Sequence, residues 1–229
     1  MSSKTKKTLI AIGVVFLILL IDQVSKIWVK TNMMLFQSIP ITSWFEIYFI
    51  ENPGMAFGIN LGNKLFLTLF RIVAMSFIIA FIVRLIKQNY KTGFIVCVSL
   101  VLAGATGNII DSVFYGMIFE AAHPGQVASF VAWGQGYAPL FHGNVVDMLY
   151  FPIIRGTYPQ WFPFFGGQDF LFFRFIFNIA DSAITSGVIL LLIFYRNTLS
   201  YSLLSKKERA KIDKEKQERI ESQAEEANA

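Results

Sequence analysis

The chain of 229 residues is poor in charge, cysteine and histidine. Charged residues make up 15% of it and hydrophobic residues 55%, including 24 phenylalanines, and the mean hydropathy is +0.54. A soluble domain carries about 25% charged residues, so this chain has too few charged residues to cover the surface of a water-soluble protein. The composition excludes disordered, collagen-like and disulfide-scaffold proteins and favours a small polytopic membrane protein.

The shortage of cysteine and histidine excludes several kinds of site. A single cysteine, Cys97, cannot form an internal disulfide, and no CxxC motif or Cys/His set is available for zinc. A metalloprotease would need HExxH or equivalent ligands, but His123 and His142 are isolated. A cysteine nucleophile would need a neighbouring base, which Cys97 lacks. We expect no metal and no other cofactor.

The net charge of +5 belongs to the hydrophobic body of the chain, because acidic and basic residues balance from Ser205 to Ala229. In such a body, basic residues act as membrane topology signals. The clustered Lys and Arg of a nucleic-acid surface are missing. Binding to nucleic acid is therefore not expected.

Four stretches have the roughly 20 apolar residues that a membrane-spanning helix needs. They are Thr8 to about Lys26, Leu65 to Val83, Gly93 to about Phe114, and Leu171 to Tyr195. The predicted fold class is an all-α membrane protein with four transmembrane helices, a small extracytoplasmic β-rich element and a long second outer loop. The first span could be a cleaved signal peptide, but no A-x-A pattern follows it, so we expect a retained anchor.

Lys and Arg indicate the orientation of these spans, because basic residues are retained on the cytoplasmic side of short loops. The N terminus and the short connection between the second and third spans are basic, whereas the two long loops contain only Arg155. Both termini are thus predicted to be cytoplasmic. The predicted segments are the N terminus with the first helix (1–30), an outer loop with the β-rich element (31–63), the second helix (64–86), a cytoplasmic loop (87–92), the third helix (93–116), an outer loop carrying Asp147 (117–169), the fourth helix (170–196) and a charged cytoplasmic tail (197–229).

Each predicted span contains an ionisable residue that hydropathy does not explain: Asp22, Arg71, Asp111 and Asp181. A charge at the bilayer centre costs about 2.5 to 3.5 kcal/mol. At about 1.5 Å per helical residue, all four lie roughly 20 to 27 Å from the cytoplasmic ends of their spans, which is one level in the outer third of the membrane. For Arg71 the favoured interpretation is that it extends to the lipid headgroups or pairs with a neighbour, but the aspartates are too short to reach the headgroups easily and require another explanation.

Three more polar runs reach the same level, and a separate apolar run returns to it. The polar runs are ENPGMAFG (51–58), AGATGNIIDS (103–112) and FNIADSAIT (177–185), and the apolar run is NVVDMLYF (144–151). The runs supply three amides near the carboxylates and three glycines that permit close backbone approach: Asn52, Asn108, Asn178, Gly54, Gly104 and Gly107. In the apolar run 144–151, Asp147 is expected at the bilayer surface, facing Asp181.

Two aspartates in a partly dry site cannot both ionise cheaply, so such a pair shares a proton. One then acts as a base toward water and the other as an acid toward a carbonyl oxygen, as in aspartic proteases. Peptide hydrolysis at the membrane face is the resulting hypothesis. An ion-coupled membrane transporter using the same acids is the alternative, although its acids would extend along a path through the bilayer. A structural protein that recruits partners would leave the aspartates unexplained.

Taken in order, the motifs resemble those of the lipoprotein signal peptidase family, also called signal peptidase II. The similar elements are DQVSK, ENPGMAFG, ATGNIID, NVVDMLYF and FNIADSAIT, which extend from the first helix into the fourth. The resemblance implies an aspartyl endopeptidase of the bacterial inner membrane with its site at the outer face. Its substrates would be diacylglyceryl-modified prolipoproteins, cleaved just before the lipidated cysteine.

The resemblance also implies site residues. Asp147 and Asp181 would form the catalytic pair. Residues expected to bind substrate or support the site are Asp22, Lys26, Asn52, Gly54, Gly104, Asn108, Asp111, Asn178 and Ala180. Besides the prolipoprotein, membrane lipids are the expected partners, and the chain is expected to be a monomer.

The chain departs from the family pattern at two places. The family usually has Arg directly after the aspartate of G-N-x-x-D, where this chain has Ser112. Arg71, Arg155 and Arg174 are three candidates for the missing cation. The stretch between Asp111 and Asp147 is longer than in compact members, which predicts extra loop structure over the site.

Overall fold

The computed structural model describes residues 1–54 and 64–227. Residues 55–58 of the predicted ENPGMAFG run lie outside the described residues. The chain divides into two compact units, Met1–Val188 and Ile189–Ala229. All residues predicted for the site belong to the first unit.

Helices account for most of the described chain. They are α1 (Ser3–Asn32), α2 (Lys64–Lys87), α3 (Thr92–Ile110), α4 (Gly116–Ile118), α5 (Ile179–Phe194), α6 (Arg196–Leu203) and α7 (Lys206–Ala227). Helix α3 continues through a π-helical turn, Asp111–Tyr115, into the short α4, and the predicted site residue Asp111 is the first residue of that turn. Such turns occur frequently at functional sites.

Within residues 1–54 and 64–227, three helical segments are long and apolar enough to cross a membrane: Ser3–Asn32, Lys64–Lys87 and Thr92–Ile118. Their ends agree with those of the first three predicted spans to within six residues. The pair α5 and α6, which is bent at its break, would add a fourth span if it counts as one. The chain is therefore a multi-pass membrane protein, and the count of four stays a prediction.

The predicted start of the fourth helix, at residue 170 or 171, is wrong. Residues Asp169–Phe172 form the strand β5 and Ile176–Phe177 form β6, and α5 begins only at Ile179. An apolar run fits a buried strand as well as a helix, and periodicity alone does not separate the two. The helix begins where Asn178 can cap it.

The all-α prediction also needs correction, because the two long loops together build a four-stranded antiparallel sheet. The strands are β1 (Ser38–Pro40), β2 (Glu46–Asn52), β3 (Val145–Tyr150), β4 (Ile154–Thr157), β5 (Asp169–Phe172) and β6 (Ile176–Phe177). The order in the sheet is β1-β2-β3-β6, so strands from both loops pair although they are far apart in sequence. A separate hairpin pairs β4 with β5. The predicted β-rich element of the first loop is thus part of a larger sheet.

Strand β3 determines which way Asp147 points. Side chains alternate between the two faces of a strand, and Val146 and Met148 both join the main hydrophobic core. The other buried members of that core are Val29, Met33, Phe49, Tyr115, Phe119 and Ala122. Asp147 therefore points to the face opposite this core.

Helix α3 packs against both α1 and α2, and two of its glycines allow close approach. A Cβ atom on Gly104 would lie 2.1 Å from the carbonyl oxygen of Ala180, and one on Gly107 would lie 2.5 Å from Oδ2 of Asp22. Any side chain at these positions would displace α5 or α1. At Gly104 the absence of a side chain permits the close backbone approach that was predicted, whereas Gly107 leaves room for the Asp22 carboxylate.

Candidate active site

Asp181 lies in the first turn of α5, where a capping box orients it. Oδ1 of Asn178 accepts a hydrogen bond from the backbone N–H of Asp181 at 2.9 Å, and Oδ2 of Asp181 accepts one from the N–H of Asn178 at 3.4 Å. This reciprocal pair satisfies donors that a helix N terminus otherwise leaves unpaired. The FNIAD sequence thus starts the helix and orients its carboxylate with the same two residues.

Asn178 also connects this helix start to β3. Its Nδ2 donates to Oδ1 of Asp147 at 2.7 Å and lies 3.2 Å from the carbonyl oxygen of Val146. The side chain is fully buried. One amide therefore binds Asp147 through its donor and the backbone of Asp181 through its acceptor.

Asn108 performs a similar role from α3. Its Nδ2 donates to Oδ1 of Asp181 at 2.8 Å, and its Oδ1 accepts from Nδ2 of Asn178 at 3.1 Å and from Nζ of Lys26 at 2.9 Å. The two amides and two aspartates form one hydrogen-bonded chain. Asn52 extends it, since its side chain also hydrogen-bonds Asp147.

Lys26 lies between two of the predicted supporting acids. Its Nζ is 2.9 Å from Oδ2 of Asp22 and 2.8 Å from Oδ2 of Asp111, and all three side chains are fully buried. With Asn108 as its third acceptor, the ammonium group can use all three of its hydrogens. Loss of one partner from a buried ion pair strongly destabilises the folded protein, because the other charge is left buried and unpaired. The three charged groups therefore depend on one another.

The same acids hold backbone groups of the site elements. Oδ1 of Asp22 accepts from the N–H of Ala180 at 2.9 Å, in the first turn of α5. Oδ2 of Asp111 accepts from the N–H of Val146 at 3.3 Å, one residue before Asp147. Through these two bonds the buried acids orient the elements that carry Asp181 and Asp147.

Gly54 has φ +101°, a conformation that favours glycine. Its N–H donates to Oδ1 of Asn52 at 2.9 Å. The predicted Asn52 and Gly54 thus form a turn that fixes the Asn52 side chain at the end of β2.

A cavity of about 650 Å³ contains both proposed catalytic carboxylates. Its polar lining comes from Asn52, Arg71, Asn108, Asp147, Asp181, Ser182, Thr185 and Ser186, and its apolar lining from Val145, Phe173, Phe175, Ile176 and Phe177. The cavity is therefore lined by acids and amides together with aromatic side chains.

Asp147 is 3% exposed, and its environment changes its acidity. Burial, and then the negative charge of Asp181, raise the pKa of the Asp147 carboxyl to about 7, although Lys26 and hydrogen bonds from Asn178 and Asn52 oppose the shift. A carboxyl with this pKa can hold a proton near neutral pH beside an ionised partner.

Sequence reasoning missed Gln23, which links the buried acids to the core. Its Nε2 lies 3.0 Å from Oδ2 of Asp22 and 2.9 Å from Oδ1 of Asp111, and its Oε1 accepts from the hydroxyl of Tyr115 at 3.1 Å. Gln23 stands inside the DQVSK motif, but an amide next to an acid carries no signal of a partner 88 positions away.

A second buried network was also missed. Lys30 forms an ion pair with Glu51, whose Oε2 accepts from Nδ2 of Asn144 at 2.8 Å. Asn144 in turn accepts from Lys64 and donates its N–H to the hydroxyl of Tyr137 at 2.6 Å. Burial and the charge of Glu51 raise the pKa of Tyr137. The network joins α1, β2, α2 and the residue before β3.

The structure separates the three candidate cations. Arg71 lines the cavity, and its Nη1 lies 3.5 Å from the hydroxyl of Ser112. Arg155 is exposed and pairs with Glu46, and Arg174 is exposed beside the β4–β5 hairpin. Asp111 is neutralised by Lys26 and not by any of the three arginines.

Comparison with known proteins shows extensive similarity. A family model described as "Signal peptidase (SPase) II" matches residues 14–196. A "Lipoprotein signal peptidase" from Porphyromonas gingivalis is 55% identical over 196 residues, covering 85% of this chain and 86% of the relative. A protein with the same name from Amoebophilus asiaticus is 39% identical over 202 residues, covering 85% and 81%.

A solved structure gives a similar result. A bacterial membrane enzyme determined by the in meso method at 2.3 Å resolution matches with a TM-score of 0.54 and 28% identity, over 88% of this chain and 94% of that chain. The residues matched by the family model, 14–196, include every residue of the cavity and of the buried acid cluster.

Proposed function

Because this chain belongs to the signal peptidase II family, we propose that it is an aspartyl endopeptidase with Asp147 and Asp181 as its catalytic pair. Family membership makes it a lipoprotein signal peptidase, with prolipoproteins as its substrates. The observation that carries the aspartyl mechanism is that both carboxylates line one cavity, joined through Asn178 and Asn108. Since the family is one of peptidases, the transporter alternative is not retained.

The proposed reaction begins with one proton on the pair. Asp147 holds that proton, because its pKa of about 7 favours the neutral form. Ionised Asp181 accepts a proton from water as the water oxygen bonds to the scissile carbonyl carbon, while Asp147 donates its proton to the carbonyl oxygen. When the C–N bond breaks, Asp181 gives a proton to the leaving amine and Asp147 recovers its own from the carboxyl product.

The substrate proposed is a prolipoprotein whose cysteine carries diacylglycerol, cleaved just before that cysteine. The aromatic wall of the cavity, which includes Phe173, Phe175 and Phe177, supports an occupant with a large apolar part. The acids and amides that line the same cavity support a peptide bond as the reacting group. In this arrangement the acyl chains stay among membrane lipids while the bond to be cut reaches water.

The experiment that tests the catalytic pair replaces Asp147 and Asp181 singly by Asn. Cleavage of a diacylglyceryl-modified prolipoprotein in detergent is expected to fall roughly 10²- to 10⁴-fold in each variant, the range for loss of a general acid or base. Asp169→Asn is the matched control, because Asp169 is an exposed aspartate of β5 whose side chain accepts a hydrogen bond from Thr157, away from the carboxylate pair. Full activity in Asp147→Asn or Asp181→Asn would contradict the proposal that these two aspartates are the catalytic pair.

We further propose a monomer in the bacterial inner membrane, with both termini cytoplasmic and the site at the outer face. The basic N terminus and the scarcity of basic residues in the long loops support this orientation. In a Cys97→Ala background, a membrane-impermeant thiol reagent added outside should label Gln126→Cys and not Ser3→Cys. Both positions are exposed, and labelling in the opposite pattern would reverse the topology.

A further inference from the structure

We propose that Arg71 is a substrate-positioning residue whose guanidinium donates hydrogen bonds to a carbonyl oxygen of the lipid-modified peptide. This inference rests on the proposed function and adds a substrate contact to it. From the sequence, Arg71 was expected to have a structural role or to replace the cation missing at Ser112, and the structure places it in the cavity wall with Asp147 and Asp181.

The orientation of Arg71 follows from its position on α2. Lys64, Thr68 and Arg71 are spaced i, i+4 and i+7, which places them on one helix face. The hydroxyl of Thr68 donates to the carbonyl oxygen of Phe141 at 3.1 Å, and Lys64 donates to Asn144. These two contacts hold that face against the loop preceding β3, so the next residue along it, Arg71, is directed into the cavity.

The Arg71 guanidinium has few polar contacts within the described part of the chain. Its polar contact there is with Oγ of Ser112 at 3.5 Å, the outer limit of a hydrogen bond. Among residues 1–54 and 64–227, no ion pair within 4.0 Å joins Arg71 to either cavity aspartate. A guanidinium carries five N–H donors, so a residue in the cavity wall has donors to offer to a substrate.

The chemistry of the substrate indicates what those donors bind. A guanidinium is donor-only, and the part of a diacylglyceryl peptide next to the scissile bond is rich in neutral carbonyl oxygens. Two sources offer this acceptor: the amides of the peptide and the esters of the lipid. A direct ion pair with the catalytic aspartates would favour two ionised carboxylates, whereas a cation at a distance leaves the shared proton in place.

The test compares Arg71→Gln and Arg71→Lys with the wild type, using Arg155→Gln as the matched control. Arg155 is an exposed arginine of the outer loop. Each variant is assayed on two prolipoprotein peptides, one with ester-linked and one with ether-linked lipid chains. Arg71→Gln is expected to lower kcat/KM roughly 10- to 100-fold, mainly through KM, as for loss of a charged hydrogen bond. Arg71→Lys should recover part of the loss, and the unfolding temperature should stay unchanged.

The two substrates distinguish the two acceptors. An equal penalty on both peptides assigns Arg71 to an amide carbonyl, and a penalty that disappears with ether linkages assigns it to an ester carbonyl. Kinetics within about twofold of wild type on both peptides, or a loss of activity that parallels a fall in unfolding temperature, would overturn the proposal. Asp147→Asn, run in the same series, shows independently whether the aspartyl mechanism itself holds.

Discussion

Asn178 is the residue on which both proposed catalytic carboxylates depend. Its acceptor caps the helix that carries Asp181, and its donor bonds Asp147. No aspartate can take over both tasks, because an ionised carboxylate only accepts hydrogen bonds. Thus an amide is required at this position, next to two acids.

We expect Asn178→Ala to destabilise the protein by about 1 to 3 kcal/mol, from the lost cap and the unpaired buried groups, and to lower activity sharply. Asn178→Ser is the informative companion, because serine retains a capping oxygen but has no amide donor for Asp147. In thermal unfolding in detergent, Asn178→Ser should lie closer to wild type than Asn178→Ala, while cleavage assays show both variants impaired. An active alanine variant would contradict this account.

Activity should decline above neutral pH, because the proposed mechanism requires Asp147 to be protonated. Its pKa is raised to about 7, so the proton is held below this value and lost as the pH rises through it. Since kcat/KM reports the free enzyme, it should fall about tenfold per pH unit on the alkaline side. By linkage, the stability contributed by the neutral carboxyl is complete below its ordinary pKa and is lost as the pH rises through about 7. A profile that stays flat well above neutral pH would contradict the assignment.

Lys26 offers a test of the buried charge cluster. Lys26→Met would leave Asp22 and Asp111 without their cation, and breaking a buried pair in this way costs about 3 to 5 kcal/mol. Adding Asp111→Asn to the same chain should recover part of the loss, because it removes one unpaired carboxylate. Unfolding measurements on Lys26→Met, Asp111→Asn and the double variant check this, and additive effects would indicate that the groups do not interact.

At the scale of elements, the contact between α3 and α5 is closer than side chains allow. Gly104→Ala would place a methyl group 2.1 Å from the backbone oxygen of Ala180, and we expect a loss of about 1 to 3 kcal/mol, typical of overpacking. Gly13→Ala is the matched control, because nothing lies within 4 Å of its added Cβ. That change should be neutral or stabilising by up to about 1 kcal/mol. Equal unfolding temperatures for the two variants would show that α5 can move away freely.

Much of this arrangement could be predicted from the sequence, and the failures have physical causes. The first three spans were found because long apolar runs have few alternatives, and Asp22, Asp111 and Asp181 attracted attention because burial makes charge costly. Strand β3 was not identified as a strand, since its pairing with β2 depends on residues almost 100 positions away, as in Ile50 opposite Asp147.

Gln23 and the second buried network, built around Lys30 and Glu51, were harder to find. Lys30 and Glu51 are 21 positions apart and ordinary in composition, so only the fold shows that both take part in a buried ion pair. The fourth helix was placed too early because phenylalanine-rich sequence suits a sheet edge and a membrane span equally. The sequence motifs therefore identified the acids, Lys26 and the three Asn residues, whereas the second buried network depends on tertiary contacts that the sequence does not show.

At the scale of the whole molecule, the charged tail should be dispensable for chemistry. The site lies within Met1–Val188, the family match ends at residue 196, and α7 is a largely exposed helix with weak surface ion pairs such as Lys211–Glu215 at 3.9 Å. A chain ending at residue 205 should retain wild-type kcat/KM when assayed at equal protein concentration in detergent. A large loss of kcat in this truncated chain would show that the tail acts on the site.

Strand β3 carries hydrophobic core on one face and Asp147 on the other, which ties folding quality to catalytic competence. If β3 paired with β2 one position out of step, Val146 would enter the cavity and the carboxylate would be driven among aliphatic side chains. Such a molecule would be unstable as well as inactive. A preparation of this enzyme should consequently contain few molecules that are folded but inactive. Its specific activity should therefore measure the fraction of correctly folded protein.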